Sequence, residues 1–438
     1  MKVAFENILV KISFIVILIL LLIIPTFMVE QLITERNQRQ KESVQEVSDK
    51  HAQAQQISGP VLTIPYAIPR EDGKGTRVSG LFHVLPEKLN ISGELNPEKR
   101  KRGMYETVVY GSSVHIDGWF DHIDLQGSNL KQENLQLSKA YLTIGVSDLK
   151  GVTKQVSIKM NDQSYMFQPG VLSSEVIDHG LHAYCKLDST LSKQQFEFDL
   201  ELNGTHYLRF VPIGKETSVK LTSSWKDPSF SGNFLPSTRK ITKDGFIAKW
   251  NVLSMNRNFP QSWTGDRYNI DSAGFGVDLD LGVDVYQKTM RVAKYAILFV
   301  ALTFLVFFFV EIMNRILIHP IQYTLVGISL VIFYVLLLAF SEQVDFGWAY
   351  FIAATMTISL VCLYAKNLLK SWSLVGLLGA ILTLLYVFIF IIIQLQDYAL
   401  LFGSIGIFLI LAITMFFSRK IDWFQADEKG VKVIEEIE

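Results

Sequence analysis

The last third of this chain is almost entirely apolar, and that constrains its fold more than any other feature. Five apolar runs, each on the order of 20 residues, lie near 295–310, 322–340, 346–364, 373–393 and 400–417, parted by short polar loops. A helix rises ~1.5 Å per residue, so ~20 apolar residues cross a ~30 Å hydrocarbon core. A sixth run, 12–28, stands near the other end of the chain. Between it and the other five lie roughly 260 residues of ordinary soluble-protein composition, so the 49% hydrophobic average conceals two different solvents.

The sixth run follows Lys2 and Lys11 and resembles a secretory signal. It is longer than the ~7–15-residue apolar core of such signals, and no small-x-small cleavage motif follows it. The expectation is an uncleaved signal anchor over 1–29. Residues 31–57 are rich in Glu, Gln, Lys, Arg and Ala and nearly free of Gly and Pro. They predict a solvated helix over 30–58 that ends at Gly59-Pro60.

The period then changes from helical to two. Phe196, Phe198, Leu200 and Leu202 alternate with Glu197, Asp199 and Glu201. Phe275, Val277, Leu279, Leu281, Val283 and Val285 alternate with Gly276, Asp278, Asp280, Gly282 and Asp284. Successive strand side chains point to opposite faces, so each pattern gives one apolar wall. Shorter runs of this kind are 61–65, 77–84, 107–110, 141–146, 156–160 and 219–225, with hairpin turns expected at Asp72-Gly73, Asn161-Asp162 and Asn203-Gly204. Residues 226–241 read as one long connection. The expected fold class is an α+β membrane protein: an N-terminal anchor and a C-terminal five-helix bundle over 291–420, six crossings in all. A large antiparallel β-sandwich-like domain over 59–290 is inserted after the first helix, and 421–438 form a short tail.

Loop charges set the orientation. With an N-terminus in the cytoplasm, cytoplasmic loops carry Arg315, His319, Lys366, Lys370, Arg419 and Lys420, while the opposite loops carry Glu342, Asp345 and Asp397. Lys288, Arg291 and Lys294 on the outer side oppose this split but follow a long translocated domain, where the rule weakens. Residues of about 30–292 are then periplasmic. Trp348, Tyr350 and Tyr398 fit an aromatic belt at one interface, and Trp372, Trp423 and Phe424 at the other. Gly376, Gly379, Ala380, Gly403 and Gly406 offer surfaces for close helix contact.

The residues point to no chemical activity. The net charge of −1 favours no nucleic acid. Two cysteines, Cys185 in the polar part and Cys362 in a membrane run, give no disulfide framework or cysteine metal site. No charged residue stands at mid-depth of a run, so the usual mark of a proton-coupled path is missing. Glu311, at a helix end, is expected to pair with Arg315 one turn on. The densest polar cluster is His115, Asp117, Asp121, His122 and Asp124, with donors suited to zinc or manganese but no fixed metal-binding frame. The row Asp278, Asp280 and Asp284 suggests calcium only weakly. There is no GxSxG elbow and no phosphate-binding glycine loop. Catalytic, cofactor-binding and metal residues are all expected to be none.

Six stretches together carry a resemblance: LLIIPTFMVEQLITER (21–36), SGPVLTIPY (58–66), LTSSWKDPSFSGNFLP (221–236), RVAKYAILFVALTFLVFFFVE (291–311), HPIQYTLVGISLVIFYVLLLAFSE (319–342) and RKIDWF (419–424). The sequence resembles the CreD family, also called Cet, of bacterial inner-membrane proteins, along its whole length. The resemblance implies a multi-pass cytoplasmic-membrane protein linked to a two-component regulon, colicin E2 tolerance, envelope integrity and the β-lactam response. It brings no catalytic residues. The leading expectation is a non-enzymatic envelope-stress factor whose periplasmic domain binds a protein, lipid or cell-wall component. A transporter or permeability factor is the second reading, and an envelope carbohydrate or peptidoglycan enzyme the third.

Overall fold

The computed structural model describes residues 8–69, 77–121, 123, 125, 130–187, 193–279, 285–314, 316–395 and 398–419. The chain forms two compact units, one from Met1–Gln40 with Val283–Glu438 and one from Lys41–Gly282.

The helical unit contains most of α1 (Ile8–His51), then α2 (Val285–Lys294), α3 (Ala296–Asn314), α4 (Pro320–Ser341), α5 (Phe346–Leu369), α6 (Trp372–Gln394) and α7 (Ala399–Ser418). Five of these, α1, α3, α4, α5 and α6, are long and apolar enough to cross a membrane. The described apolar stretch of α7, Leu401–Phe416, is shorter. Helix ends follow local chemistry. His319 caps α4 with Pro320 at its first position, the Asp345 side chain accepts from Gly347 N to cap α5, and Lys370 closes α5 at φ 52°. The core of this unit is aromatic: Phe299, Phe333, Tyr334, Tyr350 and Tyr386 are buried and in ring contact. Tyr350, expected in an aromatic belt, is buried in this core, while Trp348, Trp372 and Tyr398 are exposed. Gly379 lies against Cys362 and Gly406 against Phe388, whereas Gly376 and Gly403 face open space.

The sheet unit contains β1 (Gln55–Pro69), β2 (Arg77–Val84), β3 (Lys88–Arg102), β4 (Tyr105–Phe120), β5 (Tyr141–Val146), β6 (Ser157–Met160), β7 (Gln163–Met166), β8 (Gln168–Pro169) and β9 (Gly180–Tyr184). It continues with β10 (Gln194–Thr205), β11 (Tyr207–Phe210), β12 (Glu216–Ser223), β13 (Ser229–Gly232), β14 (Thr238–Thr242), β15 (Gly245–Leu253), β16 (Ser262–Thr264) and β17 (Phe275–Asp278). The first sheet runs β13-β17-β11-β1-β5-β9-β8, with β2 on β1 and β16 on β2. The second runs β14-β15-β12-β3-β4-β10-β6-β7. Alternation decides the faces. In β10, Phe196, Phe198, Leu200 and Leu202 are buried while Glu197 and Asp199 are exposed. Buried side chains of both sheets join one hydrophobic cluster, and each such Phe or Leu contributes ~1.5–3 kcal/mol by leaving water.

Several expectations are corrected. Helix α1 ends at His51, and β1 begins at Gln55, so Gly59-Pro60 lies within a strand at a register shift between Ser58 and Val61. The sheets are mixed, because β1 runs parallel to β11 and β12 parallel to β3. Asn203-Gly204 is strand. Its pairing with Gly111 and Tyr110 continues through it, and the chain then passes to β11 of the first sheet at His206, φ 61°. Asn161 does turn the β6–β7 hairpin at φ 52°, while Asp72-Gly73 lies outside the described residues. The stretch 226–241 contains β13 and most of β14. The alternation from Phe275 gives strand only to Asp278, and Val285 starts a helix that buries Tyr286, Thr289, Val292 and Ala293 on one side.

Candidate functional sites

A lateral row of polar and aromatic side chains crosses five strands of the first sheet. Antiparallel register sets Tyr184 of β9 opposite Tyr141 of β5, Tyr141 opposite Thr63 of β1, Thr63 opposite His83 of β2, and His83 opposite Trp263 of β16. Directly opposed residues share a face. This is the face opposite to Leu62, Ile64, Phe82 and Leu142, which enter the hydrophobic cluster. Segment 170–179 lies over the Thr63, His83 and Tyr141 part of the row, with Ile177 buried and Glu175 reaching in.

His83 is the centre. Its Nδ1 lies 3.0 Å from Thr63 Oγ1 and its Nε2 3.1 Å from Glu175 Oε2. Its ring centroid is 5.7 Å from that of Trp263. His83 is 2% exposed. Burial holds the imidazole below its ordinary pKa, against the opposing pull of the Glu175 carboxylate. Burial also pushes the Tyr141 phenol up to about 12. The neutral tautomer that satisfies both contacts carries its proton on Nε2, donates to Glu175 and accepts from the Thr63 hydroxyl. Hydroxyl, imidazole and carboxylate stand in the order of a nucleophilic relay. The adjoining cavity, lined by Thr63, His83, Tyr141 and Ser173 among others, is only about 10 Å³. That is room for about one water and none for a substrate carbonyl. The arrangement acts as a polar lock between segment 170–179 and the sheet.

The sequence did not single out these residues. Thr63 and His83 are 20 positions apart, and Glu175 is 92 beyond His83. Only the β1–β2 register could have paired the first two. The residues that the sequence did single out fall elsewhere. His115 and Asp117 lie on the solvent face of β4, where His115 Nδ1 meets Asp199 Oδ1 at 2.7 Å and Asn90 donates to Asp117 at 2.8 Å. Asp121 follows the strand end, and His122 and Asp124 lie outside the described residues. Among the described residues no group of three His, Cys, Asp or Glu side chains is placed to hold a metal ion. Asp278 accepts from Arg209 at 3.1 Å and Ser231 at 2.7 Å, while Asp280 and Asp284 lie outside the described residues.

The helical unit holds two polar layers. In the first, Glu311 of α3 is 2% exposed. Its Oε1 accepts from Lys11 Nζ of α1 at 2.6 Å and from Ile318 N at 2.8 Å, and its Oε2 accepts from Tyr323 Oη of α4 at 2.7 Å. Three helices thus meet on one carboxylate, which satisfies the charge where water is excluded. The expected partner, Arg315, lies outside the described residues, and Lys11 pairs with Glu311. In the second layer Tyr286 Oη of α2 donates to Glu342 Oε1 at 3.0 Å, and Arg36 Nε of α1 stands 4.0 Å from the same oxygen. Lys11 and Arg36 lie on one helix, 25 residues and therefore ~38 Å apart. That spacing matches a ~30 Å hydrocarbon core with its interfaces. Between the layers the described buried polar atoms without a partner are hydroxyls: Thr303 Oγ1, Tyr334 Oη and Tyr386 Oη.

Comparison with known proteins agrees with this architecture. A family model described as "Inner membrane protein CreD" matches residues 7–424. The Inner membrane protein CreD of Escherichia coli (strain K12) is 33% identical over 428 residues, covering 96% of this chain and 94% of the relative. With a match of that extent across both units, the chain belongs to the CreD family of inner membrane proteins.

Proposed function

We propose that this protein is a multi-pass component of the bacterial cytoplasmic membrane and serves as a non-enzymatic envelope-integrity factor. Six helices cross the bilayer, both ends face the cytoplasm, and residues of about 30–292 are periplasmic, with a sandwich-like domain over 59–290. That domain binds an envelope protein, lipid or cell-wall component. The observation that carries the membrane reading is the pair of polar layers at Lys11 and Arg36, ~38 Å apart along α1, with the uncharged apolar stretch 12–29 between them. Loop charge supports the orientation, because His319, Lys366 and Lys370 sit at one set of helix ends and Glu342 and Asp345 at the other. Six crossings require α7 to span as well. Links to colicin tolerance, the β-lactam response and a two-component regulon enter with the family resemblance. The non-enzymatic reading is supported by the lock at His83, whose cavity admits about one water.

Crosslinking of the full-length protein in living cells, followed by mass spectrometry, is expected to capture an envelope partner through the sheet unit. Failure to capture one, together with solute flux in reconstituted vesicles above that of empty vesicles, would replace this reading with permeation. One feature favours permeation: the unpartnered hydroxyls of Thr303, Tyr334 and Tyr386 inside the helical unit.

A further inference from the structure

An open groove of about 690 Å³ lies between α5 and α6, in the size range of ligand pockets. Asp345 and Trp348 stand at one end, and Phe351, Ile358, Val387 and Phe390 form much of the wall. From Asp345 to Ser359 the lining covers 14 helical steps, ~21 Å. One leaflet of a bilayer is half of a ~30 Å core. The groove therefore has the length of a single acyl chain with its headgroup at the Asp345 end. Its rim faces the lipid phase, since Trp348 is 67% exposed and Phe351 is exposed too. Helix α7 does not fill it. Its Gly406 packs on Phe388, and Phe388 is not part of the lining.

The mouth carries a charge pattern. Asp345 is exposed, and its Oδ1 accepts from Gly347 N at 2.9 Å, which leaves Oδ2 open to a donor. No Lys or Arg lines the groove. A cation near this end is Lys288 of α2, whose Nζ lies 5.6 Å from the ring centroid of Phe346, the residue that follows Asp345 and is itself outside the lining. A carboxylate at the mouth with an ammonium alongside complements a headgroup that carries a phosphate and a terminal primary ammonium.

We infer that the α5–α6 groove is a binding site for one acyl chain of an aminophospholipid, whose ammonium meets Asp345 and whose phosphate meets Lys288. A purely anionic phospholipid places its phosphate against Asp345 with nothing to compensate. The inference rests on the helical unit lying in a bilayer, and it adds the chemistry of one lipid.

The test uses the full-length protein in nanodiscs of equal phosphatidylethanolamine and phosphatidylglycerol. The protein is extracted in mild detergent, washed, and examined by native mass spectrometry. The wild type is expected to retain phosphatidylethanolamine over phosphatidylglycerol. D345N is expected to lower that preference about threefold to fivefold, the worth of an interfacial ion pair. T355W, at an exposed lining position, is expected to displace the lipid while the helical circular dichroism and melting stay unchanged. S359F serves the same purpose should T355W fail to fold. Equal retention of the two lipids by the wild type, or full retention by the filled variant, overturns the inference. So does a dimer mass with a crosslink through Phe351, because a second copy then fills the groove. Failure of the wild type to enter nanodiscs instead counts against the membrane reading itself.

Discussion

Glu311 shows how much a single buried carboxylate can organise. It takes a lysine, a tyrosine hydroxyl and a backbone N–H from three parts of the chain. Breaking such a pair from one side leaves an uncompensated charge, whereas removing both ends is far milder. K11M is expected to destabilise the protein in detergent by about 3 kcal/mol, and K11M/E311Q by clearly less, read as thermal melting of the helical signal. A double variant as unstable as the single one would contradict this account. His83 gives a pH prediction. Its folded pKa lies below the unfolded value of ~6.5, so the fold favours the neutral ring. Its contribution is fully present above ~6.5 and is lost as pH falls through the folded value. Acidification from pH 7.5 to 5.5 is expected to lower the melting temperature of the wild type more than that of H83Q, followed by the fluorescence of the neighbouring Trp263. Equal losses in the two proteins would remove His83 from the account. Neither cluster was legible beforehand. Lys11 looked like the flank of a signal sequence, and Glu175 reaches His83 only through tertiary folding.

At the scale of elements, hydrophobic period carried most of the information. Strands β2 and β5 fall where alternation put them, and the apolar runs became helices. The errors share one cause, which is that pairing partners override local propensity. Asn203-Gly204 has strong turn chemistry, yet β4 continues alongside it and keeps it extended. The helix from the first span stops at His51, and Gln55 then anchors the new strand by donating to the carbonyls of Asp148 and Asn203. Glycine shows the same dependence on context. Gly59 sits at φ 115°, and a Cβ there would lie 2.7 Å from Thr143 O. Gly103 sits at φ 61° with nothing within 4 Å. G103A is therefore expected to cost ~1 kcal/mol, and G59A roughly 3 kcal/mol or more through strain combined with overlap. Denaturant unfolding of the two variants checks the difference, and similar costs would refute it.

At the scale of the molecule, the amino-acid pattern showed that lipid-phase and water-phase segments alternate, and belonging to the CreD family agrees with that. The number of crossings was less legible. The described apolar stretch of α7 has 16 residues, ~24 Å, shorter than the ~30 Å core. Its flanks must reach the interface for it to span. If it does, R419C should react like H319C with thiol reagents. Reaction from the opposite side would leave five crossings.

The proposal tested most directly is that the layer at Glu311 and the layer at Glu342 lie on opposite sides of one bilayer and that residues of about 30–292 are periplasmic. Single-cysteine variants made in a C185S/C362S background and labelled in intact cells with a membrane-impermeant maleimide test it directly. V344C, in the α4–α5 loop, and M255C, at a position 92% exposed in the sheet unit, are expected to label at once, and H319C only after the membrane is permeabilised. Immediate labelling of H319C, or protection of M255C, would contradict the account.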